Sequence, residues 1–172
     1  MKQPRFDVCV VMQMRQLDNR WQSEMWGPVA VLSQQNRHDE PVLVADENGI
    51  QRWLFPPLPV VLRLEEAEGY YLNISTPQPR VFVMWQLQNE FGVPLEVSAS
   101  YNDACSWMDA GEQVDSVAMP PQMYDAVSAF ARELTRPILS SRDTSLIALS
   151  GEIANAPAML SRELWTFLYS QS

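Results

Sequence analysis

The chain has 172 residues, 47% of them apolar, and a formal net charge of −9. That length fits one domain with appendages, and that apolar share can bury a core without disulfide or metal staples. With 12 Lys and Arg against 21 Asp and Glu, and no basic stripe, the composition argues against binding nucleic acid or an anionic membrane surface.

Lys2 is the single lysine, and the arginines are scattered from Arg5 to Arg162. Two cysteines, Cys9 and Cys105, each in an apolar stretch, are too few for a disulfide framework. The first residues hold no apolar run ahead of a small-residue cleavage site, and no stretch is long enough for a membrane span. The expected compartment is the cytoplasm.

Period-two alternation predicts a long strand over 6–14, with Phe6, Val8, Val10, Met12 and Met14 on its buried face. A second β-rich stretch, 21–32, is interrupted by Gly27-Pro28, a bulge or edge signal, and could pair with the first as a hairpin. A polar loop leads to a strand at 41–45, a turn at Asn48-Gly49 and a return strand at 50–55. After the extended Pro56-Pro57-Leu58-Pro59, strands are expected at 60–64 and 70–75 around a turn at 65–69. Residues 81–87 are apolar on both faces and read as a central strand, followed by a turn at Phe91-Gly92 and a strand at 93–99.

Helical signals begin after Ser100. Asn102 is the expected N-cap of a helix over 103–110 that ends at Gly111. Residues 113–119 read as extended. Pro120-Pro121 opens a helix whose Met123, Val127, Phe130 and Leu134 share one face, with Arg136-Pro137 as its stop. The main domain is placed at 5–136. Residues 137–172 read as a linker and an appended amphipathic tail helix, with Leu160, Leu164, Phe167 and Leu168 on one face. Strands first and helices later predict an α+β fold: a mainly antiparallel sheet or partly closed barrel of seven or eight strands, followed by C-terminal helices.

No catalytic constellation stands out. His38, the only histidine, sits in a polar loop between Arg37 and Asp39, and no cation neighbours either cysteine in sequence. Cys9, His38 and Cys105 lie too far apart for zinc-ligand spacing, and the acids from Asp103 to Asp115 read as a solvated helix end. Glu65, Glu66 and Glu68 read as a solvated hairpin tip, and no Gly-rich phosphate cradle exists. The sequon Asn73-Ile74-Ser75 is taken as chance. The features left over are aromatic: Arg20 and Trp21 with Trp26 five residues on, and Tyr71, expected on the polar face of its strand. Arg, Trp and Tyr are the side chains that anchor protein partners. The tail helix must dock somewhere too, and self-association is one outcome compatible with it.

The segments Arg15–Trp21, Trp26–Leu32, Glu68–Ser75, Pro79–Val83, Asp109–Glu112 and Val117–Pro120 resemble, in order and spacing, an uncharacterised proteobacterial protein family. Its genes tend to lie beside those of formate dehydrogenase and its maturation factors. The resemblance implies a non-enzymatic accessory or assembly protein, serving the biogenesis of a molybdenum or tungsten formate dehydrogenase. It implies a protein partner, a dehydrogenase subunit or a maturation factor, and gives no cofactor and no catalytic residues. Arg20, Trp21, Trp26 and Tyr71 are the expected binding residues. The alternative expectation is a small-ligand or cofactor-binding module with an aromatic-lined pocket.

Overall fold

The computed structural model describes residues 3–33 and 38–140, with side chains as far as residue 134. β1 (Arg5–Gln16) organises the first sheet, because Val8, Cys9, Val10, Val11 and Met12 make both its faces apolar and bury both. It pairs antiparallel on one side with β2 (Glu24–Leu32), in the register Cys9–Leu32 to Gln16–Glu24. The register slips between Val11–Ala30 and Met12–Pro28, leaving Val29 as the extra residue. Pro28 therefore stands at a bulge, where its missing N–H costs least.

The other side of β1 is covered by two strands end to end. β4 (Ile50–Leu54) pairs with Val11–Arg15, and β5 (Leu58–Val61) with Arg5–Val8. Pro56-Pro57 lies between them, and the register moves by one residue across it. Phe55 N, donating to Val10 O at 3.0 Å, keeps the line continuous. β3 (Val42–Glu47) joins β4 through a two-residue turn, Asn48 (φ 54°) and Gly49 (φ 74°). Both residues need the left-handed region, which Asn-Gly adopts at least cost.

The second sheet has the order β7-β6-β8, all antiparallel: β6 (Arg80–Gln88) lies between β7 (Phe91–Ser98) and β8 (Gln113–Ala118). α1 (Ala67–Ile74) follows a 3-10 turn (Leu64–Glu66), α2 (Tyr101–Asp109) connects β7 to β8, and α3 (Pro121–Ser140) follows β8. The sheets approach along β2 against β8 and β5 against β7, without ladder pairing there, so the arrangement is two antiparallel sheets and not a closed barrel.

Between the sheets lie Val8, Val10 and Met12 of β1 with Val81, Val83 and Trp85 of β6. Met123, Val127, Phe130 and Ala131 of α3 and Tyr70 of α1 complete that core; the Tyr70 and Phe130 rings meet at 6.0 Å and 67°. Each such large side chain contributes about 1.5–3 kcal/mol by leaving water. The chain separates into two compact units, Met1–Leu134 and Thr135–Ser172; the core is assembled within the first. No helix of the described residues is long and apolar enough to cross a membrane.

Four local expectations are corrected. Residues 70–75 are not a strand: Ala67–Ile74 is a helix, because Asn73 is fully buried and its amide binds three backbone groups that a strand would not present to it. The second hairpin turns at Asn89 (φ 50°) and Glu90 (φ 67°), leaving Phe91-Gly92 inside β7. α2 is capped by Ser100, whose hydroxyl accepts from Asn102 N at 3.1 Å, two residues earlier than expected. α3 continues past Pro137 for three residues to Ser140, so the proline stands within its last turn, where it gives up one intrahelical hydrogen bond and does not mark the stop. The expected tail helix lies outside the described residues.

Candidate interaction surface

On the inner face of the first sheet, register alone brings three aromatic rings together. Met14 stands opposite Trp26, Met12 opposite Trp53, and Phe55 follows next to Val10. Phe91, the first residue of β7, sits among all three. Its centroid is 4.6 Å from Trp26, 5.0 Å from Trp53 at 81°, and 5.8 Å from Phe55. Edge-to-face and tilted contacts of this kind add about 0.5–1.5 kcal/mol beyond burial. Trp53 Nε1 donates to Gln51 Oε1 at 3.3 Å, whereas Trp26 Nε1 is buried without an acceptor. These rings fill the mouth between the sheets at the C-terminal end of β1.

At that same end the β1–β2 loop is closed by Leu17 N donating to Ser23 O at 2.8 Å. Asn19 Oδ1 accepts from Trp21 N at 3.0 Å, an Asx-type turn that fixes the backbone beneath Trp21. The Trp21 side chain points outward and is 90% exposed. Arg20 is exposed beside it, Met25 is exposed at the start of β2, and Leu87 is 59% exposed near the β6–β7 tip. The two tryptophans that sequence places together thus do different jobs: Trp26 packs inward on Phe91, and Trp21 faces solvent.

Tyr71 belongs elsewhere. It lies on α1, which follows β5, and β5 pairs with the N-terminal end of β1. The twelve residues of β1 separate its ends by on the order of 35 Å. Tyr71 is 52% exposed, but it shares no surface with Trp21.

Around Tyr71's helix is a polar cluster that sequence reasoning missed. Glu66 and Asp103, read as solvated acids, are both engaged. Ser100 Oγ donates to Glu66 Oε2 at 2.6 Å, and Ser98 Oγ donates to Asp103 Oδ2 at 2.6 Å. Arg63 pairs with the other Asp103 oxygen, and its backbone N–H donates to Tyr70 Oη at 3.0 Å. Burial works against the Arg63 charge, but Asp103 beside it, together with Tyr70 and Glu66, outweighs burial and holds the guanidinium more firmly protonated than usual. Burial pushes the Tyr70 hydroxyl above its ordinary range. The only sequence signal was the spacing of Ser98, Ser100 and Asp103 before a helix. The cluster ties the segment before α1 to the start of α2.

Neither thiol is activated. Burial, then Asp7, raises the Cys9 pKa, and burial, then Asp109, raises that of Cys105. Among the described residues, no three His, Cys, Asp or Glu side chains group closely enough to hold a metal ion. A depression of ≈ 320 Å³ lies between Thr76, Pro79, Met119 and Tyr124, away from the aromatic end.

The model of the family described as "protein of unknown function (DUF3305)" matches residues 7–142, most of the chain. The chain belongs to that family. The DUF3305 match spans both sheets and contains Arg20, Trp21, Trp26 and Tyr71. No curated protein and no solved structure matches the chain.

Proposed function

We propose that this chain is a non-enzymatic accessory or assembly protein that docks a protein partner through the end carrying Trp21. The observation that carries it is the Trp21 side chain, 90% exposed above a backbone fixed by Asn19. A tryptophan held out on a turn fixed by Asn19, with arginine beside it and Met25 exposed four residues on, has the composition of an interface hot spot. Trp26 and Phe91 beneath keep that end from collapsing. The partner is a subunit or maturation factor of a molybdenum or tungsten formate dehydrogenase, a step supported by the resemblance of the segments around Trp21, Tyr71 and Gly111.

The test is capture of the tagged full chain from its own host grown on formate, with mass spectrometry of what is retained. Dehydrogenase subunits or maturation proteins should be recovered, and Trp21→Ala should lose them. Normal formate dehydrogenase activity in a strain lacking the gene sinks the proposal.

A second reading, a small-ligand module, has one observation in its favour: the buried Trp26 Nε1 has no acceptor. It requires saturable tryptophan quenching by a pterin or nucleotide, and a flat titration removes it.

A further inference from the structure

We infer that the outer edge of β3 receives an extended segment with an apolar centre and basic ends, added to the sheet as a further strand. β3 ends the strand order β2-β1-β4-β3, and among the described residues β4 is its strand partner. An edge strand presents a row of unpaired N–H and C=O groups, a template for another strand. Proteins usually blunt such an edge with lysine or proline in its middle. Here Pro41 precedes the strand and a bulge falls at Val44, yet its first three residues, Val42, Leu43 and Val44, are all exposed and apolar, Val44 at 53%.

The charges around this apolar stretch select the occupant. Asp39 and Glu40 precede it, and Asp46 and Glu47 follow it. Asp46 Oδ2 accepts from the neutral Gln51 amide at 3.0 Å, and His38 Nδ1 lies 3.0 Å from Glu40 O. Arg52, opposite Ala45, donates through Nε to Gln13 Oε1 at 3.1 Å, and Arg37 lies outside the described residues. A second copy pairing about a two-fold axis between Leu43 and Val44 would set Glu40 of one copy opposite Glu47 of the other, twice. Like charges directly opposite destabilise a strand pair, and each copy already carries a net charge of −9. A strand with lysine or arginine at both ends meets opposite charge at both ends and valine in the middle. This edge is distinct from the Trp21 loop, so the inference stands whether or not that loop binds a partner.

The probe is a synthetic peptide of alternating valine and threonine with two arginines at each end, titrated into the full chain, with amide hydrogen exchange followed along β3. A second peptide replaces the arginines by glutamates. The arginine peptide should slow exchange in β3, weaken with added salt, and bind about tenfold more tightly than the glutamate peptide. Asp39→Lys, Glu40→Lys, Asp46→Lys and Glu47→Lys together should reverse that order, and Trp21→Ala should leave it unchanged. Val44→Lys should abolish binding; if that variant fails to fold, the charge reversal still decides. Equal binding of the two peptides, or none, overturns the inference. So does a dimer of the free chain that Val44→Lys dissociates, which would give the edge to a second copy.

Discussion

Gly92 lies directly against the Trp26 indole: a Cβ placed on Gly92 would stand 2.8 Å from Trp26 Cβ and Cε3. No side chain fits there, and the contact involves the root of the tryptophan as well as its ring, so rotation cannot relieve it. Gly92→Ala should lower unfolding free energy by about 1–3 kcal/mol in denaturant titration, the usual cost of overpacking. It should also disturb the near-ultraviolet signal of the Trp26–Phe91 pair. Unchanged stability would mean the two sheets are not locked together at this point.

The tight turn at Asn89-Glu90 offers the opposite sign. Glu90 holds φ 67°, a conformation that costs a residue with a Cβ about 1–2 kcal/mol. Glu90→Gly should therefore stabilise by about 0.5 kcal/mol after the greater backbone freedom of glycine in the unfolded chain is set against it. A thermal melt that moves down instead would show that the Glu90 side chain has a contact worth more than the strain.

Asn73 is fully buried. Its Nδ2 donates to Arg80 O and Ala99 O, both at 2.7 Å, and its Oδ1 accepts from Arg80 N at 2.9 Å. Asn73→Ala strands three backbone groups in the interior, so a loss of about 3 kcal/mol or more is expected, measured by urea unfolding. Asn73→Asp should be similarly poor, because a carboxylate cannot donate to two carbonyls.

Tyr70 predicts an alkaline limit to stability. Burial raises its folded pKa above the unfolded value near 10. A group raised in this way contributes its stability fully below the unfolded pKa and loses it as pH climbs toward the folded one. Unfolding free energy should thus fall as pH rises past about 10. Cys9 and Cys105, also raised by burial, act with the same sign from a somewhat lower pH. Tyr70→Phe should flatten the part of the slope that lies above the thiol range, while costing about 1 kcal/mol at neutral pH because the Arg63 amide loses its acceptor. An unaltered slope in that variant would assign the alkaline limit to other groups.

Trp21→Ala should leave stability within about 0.5 kcal/mol of the parent, since the side chain packs on little. A large destabilisation in calorimetry would make Trp21 structural and remove the main support for a docking end.

Much of the sheet was legible because period-two patterning and Asn-Gly chemistry are local signals. β1, the β3–β4 hairpin and the central place of β6 follow from them. α1 was not legible: Tyr70-Tyr71-Leu72 favours a strand, and only the distant backbone of Arg80 and Ala99 makes the helix the better place for Asn73. The Asn89-Glu90 turn was missed because glutamate is a poor turn residue that the flanking ladder forces into place. Of the candidate residues, Trp21 and Arg20 could be read as a pair from adjacency alone. Whether Trp26 faced in or out depended on its meeting Phe91, sixty-five positions away in the chain.

The unequal attachment of β1 has a dynamic consequence. Its N-terminal half is clasped by β5 and its far half by β4, and among the described residues β4 is the strand that carries β3. The β3–β4 hairpin can therefore loosen as one cooperative piece when the ladder from Val11 to Arg15 and the Trp53–Phe91 contact break together, while β5 and β2 hold β1 in the interior. Amides of β3 and β4 should exchange with solvent through this partial opening, and those of Val8 and Val10 only when the whole unit unfolds. The protein would then have a built-in order of loosening, with one movable flap on a sheet that otherwise stays closed.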